Sequence, residues 1–226
     1  MAWTKRVFHV WSCCLADSRP IVMSIHYYEP AAGHGLPHNP FNAIVAPRPI
    51  GWVGTTSRDG THNLAPYSFF NAFNYIPPIV GFCSVGDKDS LKNVRDVPEF
   101  SWNLATWDLR DQMNASSAGL DHGMSEFEAA GIAIEQARII RPALVAASPV
   151  KFECKVTQIE QLKTASGDDV PSWLILGEVV GVHIDESLLE DGVYQTERAR
   201  PIMRGGGPGD YFTITEDNKF FMGRPE

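Results

Sequence analysis

Apolar residues in this chain come in short runs that break at proline, glycine and clustered polar residues, a spacing that predicts strands more often than helices. Pro49–Thr56 reads as a strand, and Ser57-Arg-Asp-Gly60 behind it as a hairpin turn, because Asp-Gly suits positive φ. Asn63–Phe73 is the next strand, bent near Pro66, and Ile79–Ser84 a third; Pro77-Pro78 between them forbids helix. Asp89–Val97 predicts a short helix with Leu91 and Val94 turned inward, followed by a strand at Phe100–Ala105. Asp108–Gly119 and Ser125–Ala130 predict two more short helices, the second with Ser125 as cap, Glu128 three residues on and Gly131 placed to end it. Val150–Leu162 and Ser172–Ile184 are long strands around a polar Ala165–Asp169 loop, as in an antiparallel hairpin, and Tyr211–Thr215 is a last strand. Ser24–Pro40, punctuated by Pro30, Gly33, Gly35, Pro37 and Pro40, reads as loop. Many strands on short turns with few helices give a mainly β fold, an antiparallel barrel rather than a doubly wound parallel sheet.

Composition narrows the class. A chain of 226 residues supports one well-packed core, and 44% hydrophobic with 20% charged residues is the balance of an ordinary globular protein. The net charge of −8 argues against a nucleic-acid surface. Cys13, Cys14, Cys83 and Cys154 lack CxxC spacing and matching histidines, so neither a zinc site nor a disulfide framework is expected, and a reducing cytoplasm fits best. No apolar run approaches the ~20 residues of a membrane span. Val7–Ala16 has some character of a signal peptide, but His9 and Trp11 interrupt it; residues 1–22 read instead as an extension ahead of a functional start at Met23, with residues 23–226 as a single domain.

Two segments carry candidate chemistry. Asn63-Leu-Ala-Pro-Tyr-Ser-Phe-Phe-Asn-Ala-Phe73 brings apolar surface through Pro66, Tyr67, Phe69 and Phe70, and polar handles through Asn63 and Ser68. Ser84-Val-Gly-Asp-Lys-Asp-Ser90 brings a tight turn at Gly86, a cation at Lys88 and hydroxyls at Ser84 and Ser90, just ahead of a helix. An aromatic slot ending in a small anion site is what flavin mononucleotide (FMN) requires: apolar walls for the ring, and N–H groups, hydroxyls and a cation for the phosphate. Phe69, Phe70 and Phe73 also suit a core, and Asp87 or Asp89 a plain helix cap; the two segments lie one strand apart, and that favours the cofactor. GxSxG, HExxH and P-loop motifs are missing, and Arg204-Gly-Gly-Gly-Pro-Gly209 runs into a strand rather than a helix, unlike a dinucleotide fingerprint.

The chain resembles the flavin reductase-like proteins with an FMN-binding split barrel, the branch holding flavoredoxins and the reductase components of two-component monooxygenases. The resemblance rests on Arg48-Pro-Ile-Gly-Trp-Val-Gly54, Gly60 with Asn63-Leu-Ala-Pro-Tyr-Ser-Phe-Phe70, Pro77-Pro78, Lys88-Asp-Ser90 with Asn93, and Glu99-Phe100 leading to Asn103. Ser148-Pro-Val150 and Gly177-Glu178-Val179 extend it. It implies a Greek-key split barrel with a few peripheral helices, assembled as a homodimer with FMN near the subunit interface. It also implies that Thr55 and the run Asn63, Ala65, Pro66, Tyr67 and Ser68 line the ring and ribityl chain, with Ser84, Lys88, Asp89, Ser90 and Asn103 toward the phosphate. His122, in Asp121-His-Gly123, is a weak catalytic candidate that reads more readily as an exposed loop histidine. Arg204 and Tyr211 are candidate edge contacts to a ligand or to the other subunit. The implied activity is hydride transfer from NADH or NADPH to FMN, with a monooxygenase as one recipient of reduced flavin. The alternative is a flavoredoxin-like electron carrier without nicotinamide turnover. The residues do not choose between NADH and NADPH.

Overall fold

In the computed structural model, which describes residues 24–225, Gly51–Thr56 (β1) runs antiparallel to His62–Tyr67 (β2) across a turn in which Gly60 takes φ +97°. All six residues of β1 are buried, since successive side chains of a strand point to opposite faces and both faces are covered. Trp52 enters a cluster with Leu64, Met113 and Phe127, while Val53 enters another with Phe82, Leu91 and Phe100. That is why Gly-Trp-Val-Gly-Thr-Thr shows no polar face.

Five more strands complete the main sheet: Phe70–Asn74 (β3), Ile79–Val85 (β4), Glu99–Asn103 (β5), Val150–Lys163 (β6) and Asp169–Ile184 (β7). Their order is β2-β1-β5-β6-β7-β4-β3, with every neighbouring pair antiparallel. The two edges, β2 and β3, are consecutive in the chain. Tyr67 still faces Gly51 of β1, and two residues later the carbonyl of Phe69 accepts from the Cys83 N–H of β4 at 2.8 Å. One bent segment therefore meets both ends of a curled sheet, producing the split barrel with no long exposed edge. The bend falls at Ser68-Phe69 and not at Pro66. Pro66 sits inside β2, opposite Trp52, where the edge position leaves the missing N–H without consequence.

Four short helices flank the sheet: Phe41–Ile44 (α1), Asp89–Asp96 (α2), Arg110–Ala115 (α3) and Glu126–Ala129 (α4). Leu91 and Val94 of α2 are fully buried, each contributing about 1.5–3 kcal/mol of apolar transfer. The helix expected over Asp108–Gly119 is a 3-10 turn, Trp107–Leu109, running into α3, and it ends where Ser116 hydrogen-bonds to the Trp52 indole at 2.9 Å. Ser125 precedes α4 but its side chain caps nothing; Gly131, at φ +62°, follows the helix as expected. A small sheet joins Arg48–Pro49, Ile202–Arg204 and Tyr211–Thr213, of which only the last had a clear strand pattern by itself.

Glu153 of β6 ties a loop to the barrel. Its fully buried carboxylate accepts from the N–H groups of Arg138 (3.0 Å), Ile139 (2.6 Å) and Ile140 (3.1 Å) and from His183 Nε2 of β7 (2.7 Å). Burial alone would push this carboxyl up, but those donors together hold it below its ordinary range. Residues 24–37 form a separate unit with one 3-10 turn, Pro30–Ala32, and Tyr28 packed near His26 and His34. The reading of residues 1–22 as an extension lies outside the described residues.

Candidate functional site

The site begins where β4 hands over to α2. Gly86, at φ +83°, turns the chain, Lys88 occupies the N-cap, and Ser90 faces inward, buried. Behind this turn runs a buried polar chain. Asn93 Nδ2 donates to Thr55 Oγ1 (3.0 Å), and Thr55 Oγ1 donates to Asn63 Oδ1 (3.2 Å), which also accepts from Ser90 Oγ (2.8 Å). Asn63 Nδ2 and the Leu64 N–H both donate to Glu126 Oε2, at 2.8 and 3.0 Å. Each link fixes the next, so Ser90 and Asn63 are held in one arrangement by groups on β1, β2, α2 and α4. Burial, with the charge of Asp89 adding to it, raises the Glu126 carboxyl above its ordinary range, against the pull of its hydrogen bonds.

Asn63, Ser90 and Glu126 of this chain line a cavity of about 430 Å³, together with Ala65, Pro66, Tyr67, Lys88, Asp89 and His122. The Tyr67 hydroxyl is buried and meets no partner in hydrogen-bonding geometry among the described residues; desolvation raises its pKa against the nearby hydroxyls of Ser90 and Ser84. Such an orphaned donor is costly in a native fold unless a ligand meets it. Lys88 is exposed and makes no ion pair among the described residues. Asp89, by contrast, meets His122 Nδ1 (2.5 Å) and Lys92 (3.8 Å) beside the cavity.

A second cavity, about 680 Å³, adjoins the first and shares Pro66 and Ser117 with it. Ser68, Trp107, Arg110, Met113, Arg204 and Tyr211 are among its walls. Ser68 thus lines one and Lys88 the other of two neighbouring cavities that meet at Pro66 and Ser117.

Of the residues picked from sequence, Asn63, Ala65, Pro66, Tyr67, Lys88, Asp89, Ser90 and the histidine candidate His122 come together in the first cavity. Ser68 lies in the second. Thr55 and Ser84 are fully buried behind the wall, Thr55 within the polar chain and Ser84 bonded to the Gly86 carbonyl at 3.3 Å. Asn103 lines neither cavity. It is buried, donating to the Trp52 carbonyl (3.1 Å) and accepting from the Val145 N–H (2.8 Å), so that it bridges β1 to the segment after α4. Glu126, Trp107 and Arg110 were missed: Glu126 looked like a residue of an ordinary capped helix, and no local spacing links it to Asn63.

The flavin reductase like domain model matches residues 45–203, and the chain belongs to that family. An uncharacterized protein of Aquifex aeolicus is 33% identical over 174 residues, 73% of this chain and 83% of the relative. Among solved structures, nitrilotriacetate monooxygenase component B from Bacillus cereus aligns with a TM-score of 0.74 at 26% identity, over 80% of this chain and 90% of that one. Pseudomonas fluorescens 2-nitrobenzoate 2-nitroreductase NbaA aligns with a TM-score of 0.70 at 26% identity, over 82% and 88%. No helix among the described residues is long and apolar enough to cross a membrane, and no group of three or more metal-ligating side chains occurs among them.

Proposed function

We propose that this protein is an NAD(P)H-dependent FMN reductase, working as a homodimer in the cytoplasm and handing reduced flavin to a partner monooxygenase. The carrying observation is the buried Tyr67 hydroxyl in one cavity with Ser90 and Lys88, neither Tyr67 nor Lys88 having a side-chain partner among the described residues, beside a second cavity of about 680 Å³ with room for a ring system. A phosphate would take Lys88, Ser90, Tyr67 and the free N–H groups at the start of α2, the polarity a helix N-terminus offers an anion. Asn63, Ala65, Pro66 and Ser68 would carry the ribityl chain and ring, with Thr55 and Ser84 supporting from behind; Asn103 has no part in this. Bound FMN would supply the hydride-accepting chemistry, and the protein the alignment and exclusion of water.

The second cavity leaves room for another planar ring over the same strand, so no separate nucleotide-binding domain is needed. Likeness to a monooxygenase component supports the suggested recipient. Cytoplasmic residence suits both a nicotinamide substrate and the free thiols Cys83 and Cys154. The test is an absorption spectrum of purified protein with added FMN, followed by anaerobic titration with NADH and NADPH. Flavin bleaching by either nucleotide is the expected result. FMN binding without bleaching excludes the reductase and leaves an electron carrier of the flavoredoxin kind.

A further inference from the structure

Arg48 and Arg204 are direct cross-strand partners, an arrangement that like charges ordinarily disfavour. Arg48 is buried, and its N–H groups go to carbonyl oxygens only: Ser68 at 3.0 Å, Gly205 at 3.3 Å, and those of Asn42 and Val45. Burial and the neighbouring Arg204 both lower its pKa. Arg204 likewise donates only to carbonyls, of Gly207 (3.1 Å) and Asp210 (3.4 Å), and lies 4.9 Å from the Tyr211 ring centre. Neither guanidinium has a carboxylate partner among the described residues, in a chain whose net charge is −8. Arg204 lines the larger cavity, and Arg48 stands behind it as its cross-strand partner. Arg110 lines the same cavity, held by the Trp107 carbonyl at 2.7 Å, lying 4.6 Å from that ring's centre and paired with Asp111 at 3.5 Å. Ile50, Pro66, Met113 and Phe212 give the same cavity apolar surface beside the polar Ser68, Asn114 and Ser117.

We infer a second anion subsite, centred on Arg204 and assisted by Arg110, that holds an oxyanion of the planar molecule exchanging electrons with the flavin. The inference rests on the FMN reading above, in which Lys88 takes the flavin phosphate in the neighbouring cavity. Arg204, without a carboxylate partner among the described residues, and Arg110, engaged by Asp111 at 3.5 Å, fit a ring bearing a phosphate or carboxylate, because a guanidinium fork binds either in two parallel hydrogen bonds. Arg48 acts as a positioning residue: buried and fully bonded, it pins Ser68 and the Gly205 loop and adds its field behind Arg204. Both sources of the anion remain open to the same fork, a nicotinamide nucleotide phosphate or the carboxylate of an aromatic acid.

The experiment compares the FMN-loaded parent with Arg204→Met and Arg204→Lys. FMN affinity is read by fluorescence, and affinities for NADP+ and for benzoate by calorimetry. Steady-state KM is measured for NADPH and for reduced nicotinamide riboside, which has no phosphate. In Arg204→Met, binding of NADP+ or of benzoate should weaken about tenfold or more, the scale of one lost charged hydrogen bond, with FMN affinity unchanged. Arg204→Lys should fall in between and shows that the effect follows the fork rather than a folding defect. A raised KM for NADPH but not for the riboside assigns the subsite to a nucleotide phosphate, whereas loss of benzoate alone assigns it to a carboxylate. Unchanged affinity for both anions in Arg204→Met, or failure of the flavin-loaded parent to bind either, overturns the subsite and leaves the flavin reading standing. A parent protein that ignores FMN overturns that reading and the subsite with it.

Discussion

Lys88 shows how one residue's meaning depends on its neighbours. As a helix N-cap it is unremarkable and contributes no side-chain cap. Its value comes from lying beside the partnerless Tyr67 hydroxyl and the fixed Ser90, in a cavity where Asp89 is already engaged by His122 and Lys92. Lys88→Ala should therefore weaken FMN binding by about 1–3 kcal/mol, while the surface change Lys163→Ala leaves it alone. Fluorescence titration of the two variants checks this, and equal affinities would remove Lys88 from the phosphate site. Asn63, Ala65, Pro66, Tyr67, Lys88, Asp89 and Ser90 of the first cavity were legible in sequence because each lies in one of two short segments with unusual composition. Asn103 misled because a buried asparagine bonding to backbone looks the same in sequence as one facing a ligand. Glu126 escaped for the opposite reason, its partners Asn63 and Leu64 being reachable only through the fold.

Strands and helices register a different kind of information. The long hairpin of β6 and β7 followed directly from two apolar runs around a polar turn, and α2 from the spacing of Leu91 and Val94. The helix after Trp107 is shorter than its pattern and ends at Ser116, whose hydroxyl accepts from the Trp52 indole N–H of β1. Glu153 makes the same point energetically, since a carboxylate within a strand pattern gives no sign that three N–H groups from residues 138–140 will converge on it. Glu153→Gln places an amide donor against those donors and should destabilise the fold by about 1–3 kcal/mol at neutral pH, read by urea unfolding. The pH dependence follows from its lowered pKa. The parent has the full carboxylate contribution above the unfolded-state value of about 4.3 and loses it as pH falls through the lower folded value. The variant lacks that acid-side slope, so the gap between the two proteins should narrow with acidification. A gap independent of pH would mean that the carboxylate charge is not what holds the loop.

At the scale of the molecule, the apolar residues left outside the core bear on assembly. Phe73, Tyr75 and Ile76 are more than half exposed around the end of β3, more neighbouring apolar surface than a lone turn needs. If the protein is the proposed homodimer, light scattering after gel filtration should give about twice the chain mass of 25.0 kDa, and Ile76→Glu should shift it toward the monomer. A parent protein that runs as a monomer at micromolar concentration would defeat the dimer. The curled sheet itself was legible as a class, since many short strands with little helix leave few alternatives. Its closure was not: the bend at Ser68-Phe69 arises because the same segment must satisfy β1 and β4 on opposite sides.

By itself the sequence determined what local physics can determine: strand and helix positions, turns at Asp-Gly and Pro-Pro, and two segments rich in the groups a phosphorylated ring would need. Tertiary structure alone decided which of those groups share a cavity, that Glu126 and Arg110 join them, and that Arg48 stands beside Arg204 without a counterion. The reason is that periodicity and turn chemistry act over a few residues, whereas desolvation and charge depend on whatever the folded chain brings within a few ångströms.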